Sequence, residues 1–248
     1  MKRIHRFCFM AFSAWLGGVP AAGALILPGD PADYEAQRQQ FEASGTVTAV
    51  RGDHESLQLF SRDFGGFAME EGRPIYQFDL SALDQPLASA VFSVELLSVD
   101  TNVDYAVEIW GSQSNLAGPL TAGESGSGGQ FAASGYEPVR EPGVFLADQG
   151  TALGRVFLDI TGYLNDRYAE WANGGDSWAY LRLQSADTFA LGSGVDATFT
   201  FASADHPNLA FQPSIETVAI PEPAHAALLT ALAGAWLLWH RLRKVWSR

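Results

Sequence analysis

The chain has 248 residues, which suffices for one large domain or two small ones, and its 15 lysines and arginines face 28 acids. A formal net charge of −13 excludes a nucleic-acid binder, because there are too few cations to neutralise a phosphate backbone. The single cysteine, Cys8, excludes a disulfide scaffold and a cysteine-rich zinc or iron–sulfur site.

The first 24 residues have the parts of a secretory signal peptide. Three basic residues precede an apolar stretch at 7–16, which is too short to span a bilayer as a mature helix. Ala22 and Ala24 fit the small-x-small rule of signal peptidase, so we predict cleavage after Ala24. The alternative is an uncleaved N-terminal membrane anchor.

The next region, 25–220, is strongly acidic. It holds eight arginines, no lysine and 27 acids, a net charge of −19. Such a charge keeps an exported domain soluble and discourages adhesion to anionic surfaces. Residues 30–42 are polar and predict a short helix or an irregular stretch. We therefore assign 25–44 to a lead-in segment and 45–219 to the main domain.

From residue 45 onward, apolar residues alternate with a period of two, as in half-buried strands. Tyr105, Val107 and Ile109, for example, share one face of their segment. The alternation predicts eight short strands, at 46–50, 73–80, 87–99, 103–110, 155–160, 178–184, 197–201 and 208–215. Turn residues separate these runs, which indicates a mainly β, antiparallel, jelly-roll-like sandwich.

One helix and one long loop interrupt the strands. A helix is predicted over 161–171, with the Asn-Gly-Gly sequence at 173–175 ending it. Its Tyr163, Leu164 and Trp171 recur at helical spacing, and we interpret this face as packing across one end of the sandwich. The glycine- and serine-rich stretch 111–143 predicts a flexible loop.

Several segments occur in the order seen in one family of secreted domains. They are Arg-Pro-Ile-Tyr-Gln-Phe-Asp-Leu-Ser at 73–81, Ala-Ser-Ala-Val-Phe at 88–92, Phe-Leu-Asp-Ile-Thr at 157–161, and Phe-Ala-Ser at 201–203 followed by His-Pro-Asn-Leu at 206–209. Over about residues 45–215 this order resembles the DNRLRE family of β-sandwich domains. The resemblance implies a carbohydrate-binding-module architecture and a non-catalytic surface or matrix role with glycan contact.

Three oxygen-bearing side chains at alternate positions, Asp100, Asn102 and Asp104, have a spacing that can wrap a calcium ion. An EF-hand loop needs glycine at its sixth position and glutamate at its twelfth. Counted from Asp100, these positions are Tyr105 and Gly111, so an EF-hand is excluded. A structural calcium in a β-loop is one interpretation. We favour the other, in which solvated acids occupy a strand turn.

Neither catalysis nor binding has a decisive motif. The sequence contains no nucleophile elbow, zinc-protease motif, phosphate-binding loop or dinucleotide fingerprint. We therefore expect a non-catalytic protein, the alternative being a polysaccharide-degrading enzyme on the same scaffold. Trp110, Tyr136 and Trp178 are candidates to stack on sugar rings if they are exposed, and core residues if they are not.

The C-terminal region combines three features in a fixed order. Pro221, Glu222 and Pro223 precede an apolar run at 224–239, which is 16 residues or about 24 Å long as a helix. A basic tail at 240–248 follows, and it includes the cluster Arg241, Arg243 and Lys244. Basic residues at both chain ends predict that both ends stay cytoplasmic while the middle is exported.

This tail, residues 220–248, resembles the PEP-CTERM sorting signal, a pattern also associated with the C-terminal segment of some ice-binding proteins. The resemblance implies processing by exosortase, a membrane-embedded transpeptidase of Gram-negative bacteria that make extracellular polysaccharide. It further implies a transient inner-membrane intermediate that is held in lipid by the C-terminal helix. Delivery to the cell surface or the extracellular matrix would follow, with polysaccharide as a possible partner. The alternative is a plain tail anchor that is never cut.

Overall fold

A computed structural model describes residues 24–41, 45–52, 54–115, 118 and 135–220. These residues contain thirteen strands and one helix. The strands are β1 Ala24–Pro28, β2 Tyr34–Phe41, β3 Gly45–Gly52, β4 Ser56–Asp63, β5 Ala68–Asp79, β6 Leu87–Thr101, β7 Ala106–Ser112, β8 Tyr136–Pro138, β9 Ala147–Asp148, β10 Gly154–Asp159, β11 Trp178–Ser185, β12 Asp196–Ala202 and β13 Ser214–Ala219. The helix, α1, is Thr161–Ala172.

Hydrogen bonds connect the strands into one mainly antiparallel sheet. Its order is β1-β13-β6-β12-β4-β5-β11-β7-β8, while β10 pairs with β6, β2 with β5, β3 with β2, and β9 with β7. The long strands β5 and β6 therefore have three partners each among the described strands. The mainly β, antiparallel architecture expected from the period-two pattern is confirmed.

One face of the sheet forms the main hydrophobic core. The alternating residues of β7 and β11 show why, since Val107, Ile109, Leu181 and Leu183 are at most 2% exposed. Full burial of such a side chain contributes about 1.5–3 kcal/mol to the free energy of unfolding. Tyr163, Tyr168 and Trp171 of α1 pack against this core, and Leu164 lies within it, so the predicted packing role of this helix face is confirmed.

The predicted helix is confirmed to within one residue. At its start, Asp159 Oδ1 accepts hydrogen bonds from the backbone N–H and the hydroxyl of Thr161, at 2.9 and 2.6 Å. At its end, Gly174 has a φ of 90°, which favours glycine. The N–H of Gly175 then donates to the carbonyl of Glu170 over 3.0 Å and satisfies an otherwise free helix terminus.

The polar stretch 30–42 is not the short helix or irregular lead-in that we predicted, since most of it forms strand β2. The strand lies between β3 and β5, and polar contacts connect it to β5. Gln39 donates to Glu70 over 2.6 Å, and Arg38 pairs with Glu71. The strand is thus connected to its neighbour by polar contacts, and it lacks the alternating apolar residues from which the other strands were predicted.

Other strands also differ from the prediction. Strands β1, β4 and β9 were not predicted, and the strand expected at 208–215 begins only at Ser214. Strand β8 lies inside the stretch 111–143, for which we predicted a flexible loop. Residues 116, 117 and 119–134 of that stretch lie outside the described residues.

Nearly all residues of the two predicted sorting segments lie outside the part of the chain that the structure describes. The signal peptide up to residue 23 and the tail 221–248 lie outside the described residues. In the part that the structure describes, no helix has the length and apolar character needed to cross a bilayer. Leu25–Val218 form one compact unit.

Candidate functional site

A polar pocket of about 300 Å³ lies where α1 meets the ends of β7 and β8. One side of the pocket is formed by residues 111–113, at and just after the end of β7, and a second side by residues 137–139. The third side is formed by Tyr163, Asp166 and Arg167 of α1. This volume is at the lower end of the range for small-molecule sites. We take this pocket as the candidate functional site.

The aromatic ring of Tyr163 forms a fixed part of the pocket. Its hydroxyl donates to the carbonyl of Tyr180 over 3.0 Å and lies 3.2 Å from Ser112 Oγ. Burial is the main cause that raises the pKa of Tyr163 to about 12, so the phenol stays neutral at physiological pH. The ring fits closely against Gly111, where a Cβ atom would lie 2.1 Å from it.

This close approach gives a first testable prediction. Gly111→Ala is expected to displace the Tyr163 ring, to destabilise the protein by about 1–3 kcal/mol and to change the pocket. The control is Gly162→Ala in α1, where a Cβ meets no atom within 4 Å. The control should be neutral or stabilising by up to about 1 kcal/mol. Chemical denaturation of both variants tests this, and equal stabilities would contradict it.

The rim of the pocket is acidic. Glu137 and Asp166 are exposed, and Glu137 accepts a hydrogen bond from the amide of Gln113. Arg167 is committed to another partner, since its Nη1 donates to Glu170 Oε2 over 2.9 Å. The pocket therefore presents two carboxylates, an amide, an aromatic ring and the paired guanidinium of Arg167, together with the apolar surfaces of Pro138 and Val139.

On the sheet face opposite to the main core, two of the three predicted sugar-stacking residues lie beside one buried arginine. Arg182 has no exposed surface, and its guanidinium lies 4.4 Å from the ring centre of Tyr136 and 5.7 Å from that of Trp110. Trp178 packs on the same cluster, which also contains Tyr34 and Tyr180. Burial is the main cause that lowers the pKa of Arg182 to about 10, and the residue remains charged near neutral pH.

This packing argues against Tyr136 as an open sugar platform. The residue is only 6% exposed, and the guanidinium of Arg182 lies over its ring. Trp110 is half-buried, and its Nε1 donates to Glu108 Oε2 over 3.0 Å. Trp178 is half-buried as well. The core interpretation therefore describes Tyr136, whereas Trp110 and Trp178 each keep part of their surface exposed and stay candidates.

The predicted calcium-binding residues lie along a wide, open depression. Asp100, Asn102 and Asp104 are all exposed. The Asn102 amide is used structurally, because its Oδ1 accepts from the N–H of Asp196 over 2.8 Å and its Nδ2 donates to the carbonyl of Gly194 over 2.9 Å. Among the described residues, no three His, Cys, Asp or Glu side chains are grouped for metal binding.

Most of the predicted sorting residues lie outside the described residues. Ala24 is the exposed first residue of β1. Ala22 precedes the described part. The residues of the Pro-Glu-Pro motif and of the basic cluster follow the described part, namely Pro221, Glu222, Pro223, Arg241, Arg243 and Lys244.

The polar residues of the pocket carry no signal in the sequence that predicts a site. Gln113 and Glu137 lie in the stretch predicted to be a loop, and Asp166 lies on a helix interpreted only by its apolar face. Nothing in the sequence brings these three segments together, and only the observed packing of α1 does so. No family model matches the chain, and no curated protein is significantly similar to it.

Proposed function

We propose that the protein is an exported, non-catalytic protein of the cell surface or exopolysaccharide matrix, sorted by exosortase after signal peptidase has acted, and that it binds carbohydrate. The observation that carries this proposal is the order of parts at the C-terminus. The β domain ends at Ala219, and the Pro-Glu-Pro motif, the apolar run and the basic cluster follow directly. In this order, the parts would halt translocation after the β domain has crossed the membrane and would hold the chain in lipid by its apolar run.

We propose a jelly-roll-like sandwich, in which β5 and β6 pass from one layer to the other. The support is that each of these strands exchanges partners along its length. β6, for example, pairs with β10 over residues 91–96 and with β12 over 96–101. Long bent strands with several partners are typical of such architectures.

Replacement of Pro221, Glu222 and Pro223 by alanine tests the sorting proposal. The variant is expected to accumulate uncut in the inner membrane, because the membrane-bound transpeptidase no longer finds its motif. The control is alanine replacement of the exposed pair Glu141 and Pro142, which removes the same residue types from a surface turn. Immunoblots of fractionated cells give the result, and unchanged release of the motif variant would refute sorting by this signal.

One observation favours the alternative, a polysaccharide-degrading enzyme. The carboxylates of Glu137 and Asp166 line the same pocket, and paired carboxylates perform glycoside hydrolysis. Release of reducing ends from polysaccharides tests this alternative. Turnover that disappears in Glu137→Gln or Asp166→Asn would replace the non-catalytic proposal.

A further inference from the structure

The pocket beside α1 suits a compact ligand with both polar and apolar surfaces. Its volume of about 300 Å³ accommodates one sugar ring. The ring of Tyr163 and the side chains of Pro138 and Val139 supply apolar surface, whereas the Gln113 amide both donates and accepts. The Tyr163 hydroxyl holds this surface in place through Ser112 and Tyr180.

The charges around the pocket disfavour an anionic ligand. Glu137 and Asp166 stand at its rim, and the nearest cation, Arg167, already pairs with Glu170 over 2.9 Å. The exported region as a whole carries a net charge of −19. Among the described residues of the pocket, a phosphate, a sulfate or a uronic acid would therefore meet two carboxylates and a single cation that already has a carboxylate partner.

The exposure of the carboxylates also argues against an amine. Glu137 and Asp166 are both solvent-exposed, and an exposed ion pair contributes only about 0–1 kcal/mol. A sugar hydroxyl interacts with such a carboxylate by donating a hydrogen bond to it, and the same hydroxyl still accepts a hydrogen bond from another group. The C–H face of the same ring can pack on the apolar part of the pocket.

We propose that this pocket binds one neutral sugar residue of a polysaccharide, with sugar hydroxyls donating to Glu137 and Asp166 and the ring lying against the apolar surface that includes Tyr163. The inference rests on the proposed carbohydrate binding and names its site. It assigns recognition to this pocket and not to the aromatic cluster around Arg182.

The test measures binding of the full-length protein in detergent micelles to immobilised neutral gluco-, manno- and galacto-oligosaccharides. A glucuronate-containing oligosaccharide and spermidine serve as anionic and cationic probes. The double variant Glu137→Gln, Asp166→Asn keeps side-chain size and removes both charges. The matched control is Glu141→Gln, Asp187→Asn, which changes two exposed acids outside the pocket. Thermal melts establish that both variants fold.

We expect at least one neutral oligosaccharide to bind, and the pocket variant to bind it about tenfold or more weakly while the control stays within about twofold of wild type. Neutral-sugar binding that is unchanged in the pocket variant would overturn this site but leave the proposed carbohydrate binding intact. If no oligosaccharide binds, both fail. Binding of spermidine alone, lost in the pocket variant, would show a cation site and also overturn the inference.

Discussion

Replacement of Asp33 by asparagine is expected to stabilise the protein at pH 8, with a gain that shrinks as the pH falls toward 4. Asp33 is 2% exposed and lies directly before β2. Its Oδ2 accepts a hydrogen bond from the N–H of Ala204 over 2.8 Å, while its Oδ1 has no hydrogen-bond partner among the described residues. Burial, assisted by Asp205 and Asp30, raises the pKa of this carboxyl from 3.8 to about 8.

The direction of the effect follows from proton linkage. Between about pH 4 and 8, the unfolded chain has lost the Asp33 proton and the folded chain still holds it. The unfolded state therefore binds fewer protons, and the free energy of unfolding falls by about 1.4 kcal/mol for each pH unit of increase. Over this window the loss has an upper bound on the order of 5 kcal/mol, and it stays constant above pH 8. Asparagine carries no proton to lose, so the variant lacks this contribution.

Urea denaturation of wild type and variant at intervals from pH 4 to 9 measures this difference. The control is Asp84→Asn, an exposed aspartate in the turn before β6, for which the change in stability should stay within about 0.5 kcal/mol. A stability difference between Asp33→Asn and wild type that does not grow between pH 5 and 8 would contradict the assignment of a buried, protonated carboxyl.

Replacement of Arg182 by alanine is expected to destabilise the protein by about 3 kcal/mol or more. The side chain is fully buried, its guanidinium contacts the rings of Tyr136 and Trp110, and its Nη2 donates to Gln184 Oε1 over 2.8 Å. Alanine would leave a cavity among these rings and remove the partner of the Gln184 oxygen. Thermal or urea denaturation measures the loss.

Two further variants separate packing from charge. Arg182→Met keeps a long side chain without the charge and should recover much of the stability, because an apolar residue of similar length can replace a buried cation. The control is Arg62→Ala. The guanidinium of Arg62 also lies over an aromatic ring, 4.6 Å from the centre of Phe60, but the residue is only half-buried. We expect its loss to cost about 1 kcal/mol or less. Equal losses for Arg182→Ala and Arg62→Ala would contradict a packing role for the aromatic cluster.

The strands that sequence periodicity predicted best are those with one face in the main core. In β12, Phe199 and Phe201 alternate with two threonines, and both phenylalanines are fully buried. Strand β4 carries the same signal in Leu57 and Leu59, and it could have been predicted. Strand β2 could not have been predicted, because its polar residues have the sequence pattern of a solvent-exposed segment. In the structure, Gln39 and Arg38 instead pair with side chains of β5.

The aromatic cluster around Arg182 and the candidate site were both harder to predict, each for its own physical reason. Arg182 stands between two leucines of β11 and has the sequence signature of a solvent-facing residue, yet strands β2 and β8 contribute the aromatic rings that bury it. The pocket likewise depends on α1 packing beside β7 and β8, which brings Gln113, Glu137 and Asp166 to one place. Periodicity describes single segments and cannot supply such contacts.

Mass-spectrometric determination of both chain ends, on protein recovered from the cell surface and culture medium, tests the central proposal most directly. A mature polypeptide that begins at Leu25 and ends close to the Pro-Glu-Pro motif is the predicted result. Recovery only of an intact chain from Met1 to Arg248, in the cytosol, would contradict both export and sorting.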